Sequence, residues 1–236
     1  MPIRTILSFL FAIILTPSLL AQSIEWEANY GGDTVDIGKA IVQTFNGGLA
    51  VAGYSSSSNG DVGGNEGYFD YWLLRTDSNG SIQWEQNYGG SAFDEAVSIV
   101  QTSDSGFAIL GNSRSSNGDV GGNNGNLDYW VLKLDESGTI QWEKNYGGSD
   151  ADVPGSIVQT SDSGFVVAGF SHSQDGDVGG TSGSSDYWVL KLDGSGTIQW
   201  DKTYGGTGDD EGRTVVQTSD GGFAVAGYSN SSDGDV

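Results

Sequence analysis

Aspartates recur along this 236-residue chain at fixed intervals. Asp36, Asp94, Asp152 and Asp210 form one row with a constant spacing of 58, and Asp61, Asp119 and Asp177 form a second with the same spacing. Each member of the first row follows a Tyr-Gly-Gly, and each member of the second lies in a stretch such as "SSNGDVGGNNGNLD" (115–128). Carboxylates carried on flexible, Gly- and Asn-rich connections are the donors that Ca²⁺ prefers. The seven aspartates named above are therefore the candidate metal ligands, and Ca²⁺ the candidate ion. The loops lack the spacing and terminal bidentate Glu of an EF-hand, and Asp and Asn also close Asx-turns without metal. Turn structure is thus the competing reading of every one of these positions. Asp128 and its equivalents, beside Tyr-Trp, are expected to satisfy loop amides.

Other chemistry is poorly represented. His172 stands where the neighbouring copies have Arg114 and Ser56, and it has no positioned partner for acid–base work. "GDDEG" (208–212) brings Asp209, Asp210 and Glu211 together, but adjacent residues of an extended chain point to opposite faces, unlike a glycosidase pair. No Ser-His-Asp order, metalloprotease helix or phosphate loop is present. No catalytic residue and no bound cofactor other than Ca²⁺ is expected.

Charge and composition narrow the partners. There are 31 acidic and 9 basic side chains, a net charge of −22. Such a surface repels nucleic acid and anionic membranes. Residues 1–21 combine Arg4, the apolar run "ILSFLFAIILTPSLL" and a small-residue cut before Gln22, the form of a secretory signal peptide. Pro17 interrupts the run, which is shorter than a membrane span requires. A secreted or cell-surface protein with no membrane span in its mature chain is expected. It has no Cys, so packing or metal must do what disulfides do in many exported proteins.

The elements that must position these aspartates follow from the tryptophans. Trp26, Trp84, Trp142 and Trp200 form one row and Trp72, Trp130 and Trp188 another, both spaced by 58 and together accounting for every Trp. A motif that carries its whole surroundings with it is a structural module. Its units run about 31–88, 89–146 and 147–204, with a partial copy at 205–236. Within one unit, "SIVQT" (156–160), "FVVAGFS" (165–171), "DYWVLKLD" (186–193) and "TIQWDKTY" (197–204) read as strands, here termed a to d. Short Gly-containing turns join a to b and c to d, as antiparallel hairpins require. No helical period is sustained after residue 22.

Four antiparallel strands repeated in tandem describe an all-β propeller blade. A β-solenoid is the rival architecture, but its rungs are usually much shorter. Ile198, Trp200, Lys202 and Tyr204 share the covered face of an outer strand, and "FVVAGF", apolar on both faces, suits a central one. All seven tryptophans are expected to be structural, with Trp84 and Trp142 largely buried between blades rather than stacking on ligand. Gly111 and Gly169, inside strand b, are expected where another backbone or ring comes close. The chain opens with a d-type strand and stops after strands a and b. An incomplete ring of about three and a half repeats, truncated at the C-terminus, is the expectation for residues 22–236. The d–a and b–c connections, and so both aspartate rows, open on one face of that ring.

"KLDESGTIQWEK" (133–144) resembles the Asp-x-x-Gly-x-x-x-Trp ending of quinoprotein-type propeller blades, which implies a Trp docked between blades. The vicinal Cys pair common in that family is missing, so the resemblance implies fold and not quinone chemistry. The whole unit, "YGG…D…IVQTSDGGF…AGYS…DYWVLKLD", resembles tandem repeats of secreted bacterial surface proteins of the type IX secretion cargo kind. Some members of that group carry endoglucanase labels. Three functions follow as expectations. The first is a non-catalytic module for extracellular binding or adhesion, its acidic face engaging carbohydrate, protein or cation. The second is the scaffold of a secreted glycan-degrading enzyme, and the third a passive spacer.

Overall fold

The computed structural model describes residues 25–235. The signal peptide expected at 1–21 and the terminal Val236 lie outside the described residues. The first blade contains β1 (Asp36–Gln43), β2 (Leu49–Ser55), β3 (Asp70–Thr76) and β4 (Ile82–Tyr88). The second contains β5 (Asp94–Gln101), β6 (Phe107–Ser113), β7 (Asp128–Leu134) and β8 (Ile140–Tyr146). The third contains β9 (Asp152–Gln159), β10 (Phe165–Ser171), β11 (Asp186–Leu192) and β12 (Ile198–Tyr204). β13 (Asp210–Gln217) and β14 (Phe223–Ser229) form a last, two-stranded sheet. Strands are paired antiparallel in chain order within each sheet. The architecture is an all-β propeller of repeated blades that does not close into a ring.

The strands join as their sequences dictate. The a–b turn needs a left-handed residue, supplied by Gly47 and Gly221 but by Ser105 and Ser163, both at φ 68°, in the middle blades. In the c–d turn an Asp accepts two backbone amides: Asp135 holds the N–H groups of Ser137 at 2.8 Å and Thr139 at 2.9 Å. Strand a starts earlier than its apolar run suggests, because β9 includes Val153, Pro154 and Gly155. Pro154 is accommodated beside a bulge, where the register shifts between Ala168 and Gly169.

Blades hold together because strands b and c present apolar side chains to both neighbours. In β6, Phe107 and Ile109 pack into the core shared with the first blade, and Ala108 and Leu110 into the core shared with the third. In β7, Trp130, Leu132 and Leu134 face back while Tyr129 and Val131 face forward. Each forward Tyr lies beside the backward Trp of the next blade: Tyr71–Trp130 centroids are 4.6 Å apart and Tyr129–Trp188 4.7 Å. Gly111 and Gly169 give these tyrosines their space. A Cβ at Gly111 would come within 2.1 Å of the Glu95 carbonyl oxygen and 2.5 Å of the Tyr71 hydroxyl.

The two Trp rows play different parts. Trp130 and Trp188 are 0 % exposed and Trp72 is 5 %, whereas Trp84, Trp142 and Trp200 are half-buried and Trp26 is exposed. Trp84 and Trp142 pack against the cores shared with the next blade, on Phe107 and Phe165, but less deeply than the Trp130 row. Strand d is outermost, so its ring covers the rim of the interface and keeps one side in water. Its indole N–H reaches the next c–d turn: Trp84 donates to the Glu136 carbonyl at 3.2 Å and Trp142 to that of Gly194 at 3.1 Å. Truncating Trp130 to Ala is expected to cost about 3–5 kcal/mol, as for other buried aromatics. Trp142→Ala should cost less, because part of that ring is already exposed. Denaturant titration of the two variants checks this ordering, and equal losses would contradict it.

Candidate functional site

Both aspartate rows do lie at the d–a and b–c end of the blades, where they hold the loops to the strands. Asp94, at the start of β5, accepts the Ser113 hydroxyl at 2.5 Å on one oxygen. Its other oxygen accepts the Gly90 amide at 2.9 Å and the Ser115 hydroxyl at 2.7 Å. Asp36 takes the amide of Gly32 and the hydroxyls of Ser55 and Ser57. Asp152 takes Gly148 and Ser173, and Asp210 takes Gly206, Ser229 and Ser231. In the second row, Asp61, Asp119 and Asp177 accept the amides of Gly31, Gly89 and Gly147 at 3.2–3.3 Å. Their own amides return a bond to the same three glycine carbonyls. Adjacent amides, Gly89 and Gly90, are thus held by Asp119 and Asp94. Among the described residues no three acidic or His side chains come together as a metal-holding group.

A different set of groups lines the cleft between first and second blades. This cleft, about 330 Å³, has Asp70, Asn87 and Gly89 among its lining, with Glu66, Glu85 and Asp119 around them. Of the two rows only Asp119 belongs to it. Asp70 is buried at the start of strand c. One of its oxygens accepts the Glu66 amide at 2.6 Å and the other has no partner. The Asn87 side-chain amide is buried with neither its oxygen nor its nitrogen paired. The second blade repeats both features at Asp128 and Asn145. In the third, Thr203 replaces the Asn and donates its hydroxyl to the Gly180 carbonyl at 2.9 Å.

Electrostatics follow from this lining. Four carboxylates and no basic side chain surround the cleft. Burial raises the Asp70 carboxyl to about 6, with repulsion from Asp94, Glu66 and Asp119 adding to it against the Glu66 amide bond. Asp128 is likewise raised to about 6 by burial, with Asp152 and Asp177 contributing. Burial also raises Asp119, reinforced by Glu66 and Glu143. At the opposite end of the blades the shifts reverse. Asp104 is lowered to about 2: burial opposes its ionisation, but the Thr102 hydroxyl, Lys133 and the Gly106 amide outweigh it.

The loop amides expected to hold Asp128 and its equivalents do so through one oxygen, that of Asn124 binding at 2.6 Å. Asn87 and Asn145 were not legible as site residues. They sit on the strand-d face that alternation assigns to solvent, opposite Trp72 and Trp130. His172 caps the Ser184 carbonyl at 2.6 Å, and within "GDDEG" Asp210 is buried while Glu211 pairs with Arg213. Neither forms a catalytic pair.

No family profile matches the chain, and no curated protein matches its sequence. Among solved structures it is similar to a protein of unknown function from Bacteroides caccae. The identity is 9 %, the match covers 80 % of this chain and 52 % of that one, and the TM-score is 0.47. The chain thus spans about half the length of that protein.

The raised and lowered carboxyls predict an unusual pH profile. Asp70 and Asp128 bind protons more readily when folded, so their cost is largest above pH 6 and is relieved as pH falls toward 4. Asp104 acts oppositely, its contribution being lost as pH falls below 4 toward 2. Melting temperature should rise between pH 7 and about 4.5 and then fall. The Asp70→Asn/Asp128→Asn pair should flatten the first limb; an unchanged slope in that variant would count against these assignments.

Proposed function

We propose that the chain is a non-catalytic extracellular binding module whose acidic inter-blade clefts receive a cationic group. The observation that carries this reading is the lining of the first cleft. Glu66, Asp70, Glu85 and Asp119 surround it without a single basic side chain, and the buried Asp70 keeps one oxygen unpartnered. A cation there would offset both the burial that raises the Asp70 carboxyl and the lesser repulsion from its acidic neighbours. The Asn87 oxygen adds a neutral donor of the kind Ca²⁺ accepts from side-chain amides. The extracellular setting rests on the N-terminal signal sequence and on the resemblance to type IX secretion cargo.

The clefts differ in strength on this reading. Asn124 and Ser182 stand at the positions equivalent to Glu66, so the first cleft is the most acidic of the three. Repetition of a similar cleft suits a binding surface better than an enzyme, since hydrolysis needs one acid and one base in unlike environments. Ca²⁺ at millimolar concentration is expected to raise the melting temperature beyond ionic-strength-matched NaCl, by mass action on the folded state. Glu85→Gln/Asp119→Asn should remove most of that excess. A lysine-rich peptide tested in parallel distinguishes an ammonium ligand from a metal. Equal shifts in CaCl₂ and matched NaCl, with no effect of the peptide, would reject the cationic reading and leave a neutral glycan as the ligand to test.

A further inference from the structure

The joints between blades share one backbone plan but are filled differently at their d–a and b–c end. The residue before strand c bridges the residue before the next strand a, Phe69 to Phe93 at the first joint and Leu127 to Ala151 at the second. At the first joint three aromatic rings gather around that bridge. Tyr54 meets Phe69 edge-on with centroids 5.2 Å apart, and Phe69 meets Phe93 at 5.5 Å. The 58-residue repeat puts Asn112, Leu127 and Ala151 at the equivalent positions of the second joint. Each ring is thus replaced by a smaller side chain. Here lies a pocket of about 330 Å³, lined by Phe93, Glu95, Asn112, Arg114 and Leu127. At the third joint Phe170 restores a ring, with Arg213 over it at 5.5 Å and His172 against its edge at 5.7 Å.

The lining combines an apolar wall with uncommitted polar groups. Phe93 is held by its neighbours, stacked nearly parallel on Tyr68 at 5.0 Å and tilted against Phe69. Glu95 and Asn112 are half-buried and lie opposite one another in the β5–β6 ladder. Arg114, two residues beyond Asn112, is exposed on the same side. Among the described residues none of these three side chains bonds or pairs with another protein group. The set belongs to the second blade alone. Its equivalents are Ile37, Tyr54 and Ser56 in the first blade, and Val153, Phe170 and His172 in the third. Blade architecture therefore does not require it.

We propose that this pocket binds a neutral pyranose ring, at a site separate in place and chemistry from the cationic clefts. Phe93 and Leu127 cover the C–H face of the sugar. Hydroxyl groups both donate and accept, so they suit an acceptor (Glu95), a two-way amide (Asn112) and a donor (Arg114) set around one space. Small-molecule sites are concave, largely apolar and carry a few convergent polar groups, and this volume is at the small end of their range. It suits one ring better than a chain. A zwitterionic amino acid would use Glu95 and Arg114 as its two charges, but an ion pair to a guanidinium out in water contributes little.

Saturation-transfer NMR on the full chain tests this, using the methyl pyranosides of glucose, galactose and mannose, with free glycine and leucine in parallel. Saturable binding of at least one glycoside in the millimolar range is expected, and none of either amino acid. Asn112→Tyr returns the first-blade ring to the space and should abolish binding without lowering the melting temperature. Should that variant fail to fold, Glu95→Gln carries the test, with binding weakened at least ~10-fold, a loss of about 1.4 kcal/mol. Glu85→Gln/Asp119→Asn should leave glycoside binding unchanged, and Asn112→Tyr should leave the Ca²⁺ shift unchanged, so the two sites stand or fall separately. No saturable glycoside binding, tighter binding of an amino acid, or undiminished binding in the Asn112 and Glu95 variants would overturn the assignment.

Discussion

A four-stranded sheet that is apolar on both faces cannot stand in water alone, and everything else in this chain follows from that. Strands b and c of the middle blades are buried at every position but Asn112 and Tyr187, with apolar side chains turned alternately to one neighbour and the other. A blade becomes stable only when sandwiched, so cohesion is a property of interfaces rather than of units, as in other repeat arrays. The polar contacts between blades follow the same logic. Tyr hydroxyls, indole N–H groups and the Gln159 side chain, which accepts the Ser103 amide at 2.8 Å, all bond backbone groups of the adjoining blade. Bonds to main chain tolerate change in the neighbour's side chains, and the same joint can therefore be used again and again.

That economy explains what the sequence reveals. The 58-residue Trp rows, the hairpin turns and the two-sided apolarity of "FVVAGF" suffice to read blades, strand order and the shared face of the aspartates. The burial of each Trp row is less legible, because a Trp deep in strand c and one on the rim of strand d have the same spacing. The early start of β9 is hidden by Pro154, which needs a bulge that only the pairing with β10 supplies. Arg75 shows how one change redirects a contact. The residue at its a–b turn is Asn46, not Asp, and the guanidinium turns instead to Glu136 of the next blade at 3.0 Å.

The cleft illustrates a second limit on reading a site from sequence. Aspartate rows of the same 58-residue spacing differ in how far they are committed: Asp94 is held by an amide and two hydroxyls, whereas Asp70 keeps one oxygen unpaired. Asp70 and Asn87 have spare hydrogen-bonding capacity, and that they line one cleft becomes visible only in the folded blade. Periodicity in such a chain reports what the architecture needs. Unspent polarity is the better guide to where a ligand could be held, since a buried group left unpaired is costly.

Hydrogen exchange across equivalent strands tests most directly whether cohesion lies in the interfaces. β6, β10 and β14 have nearly the same sequence character and fold but differ in what covers them: β6 and β10 are sandwiched, and β14 has an open groove at its side. If the joints carry the stability, amides of β6 and β10 exchange slowest and those of β14 faster by several orders of magnitude, with β2 between them. Similar protection in all four strands would show that each blade is stable by itself and would contradict the account.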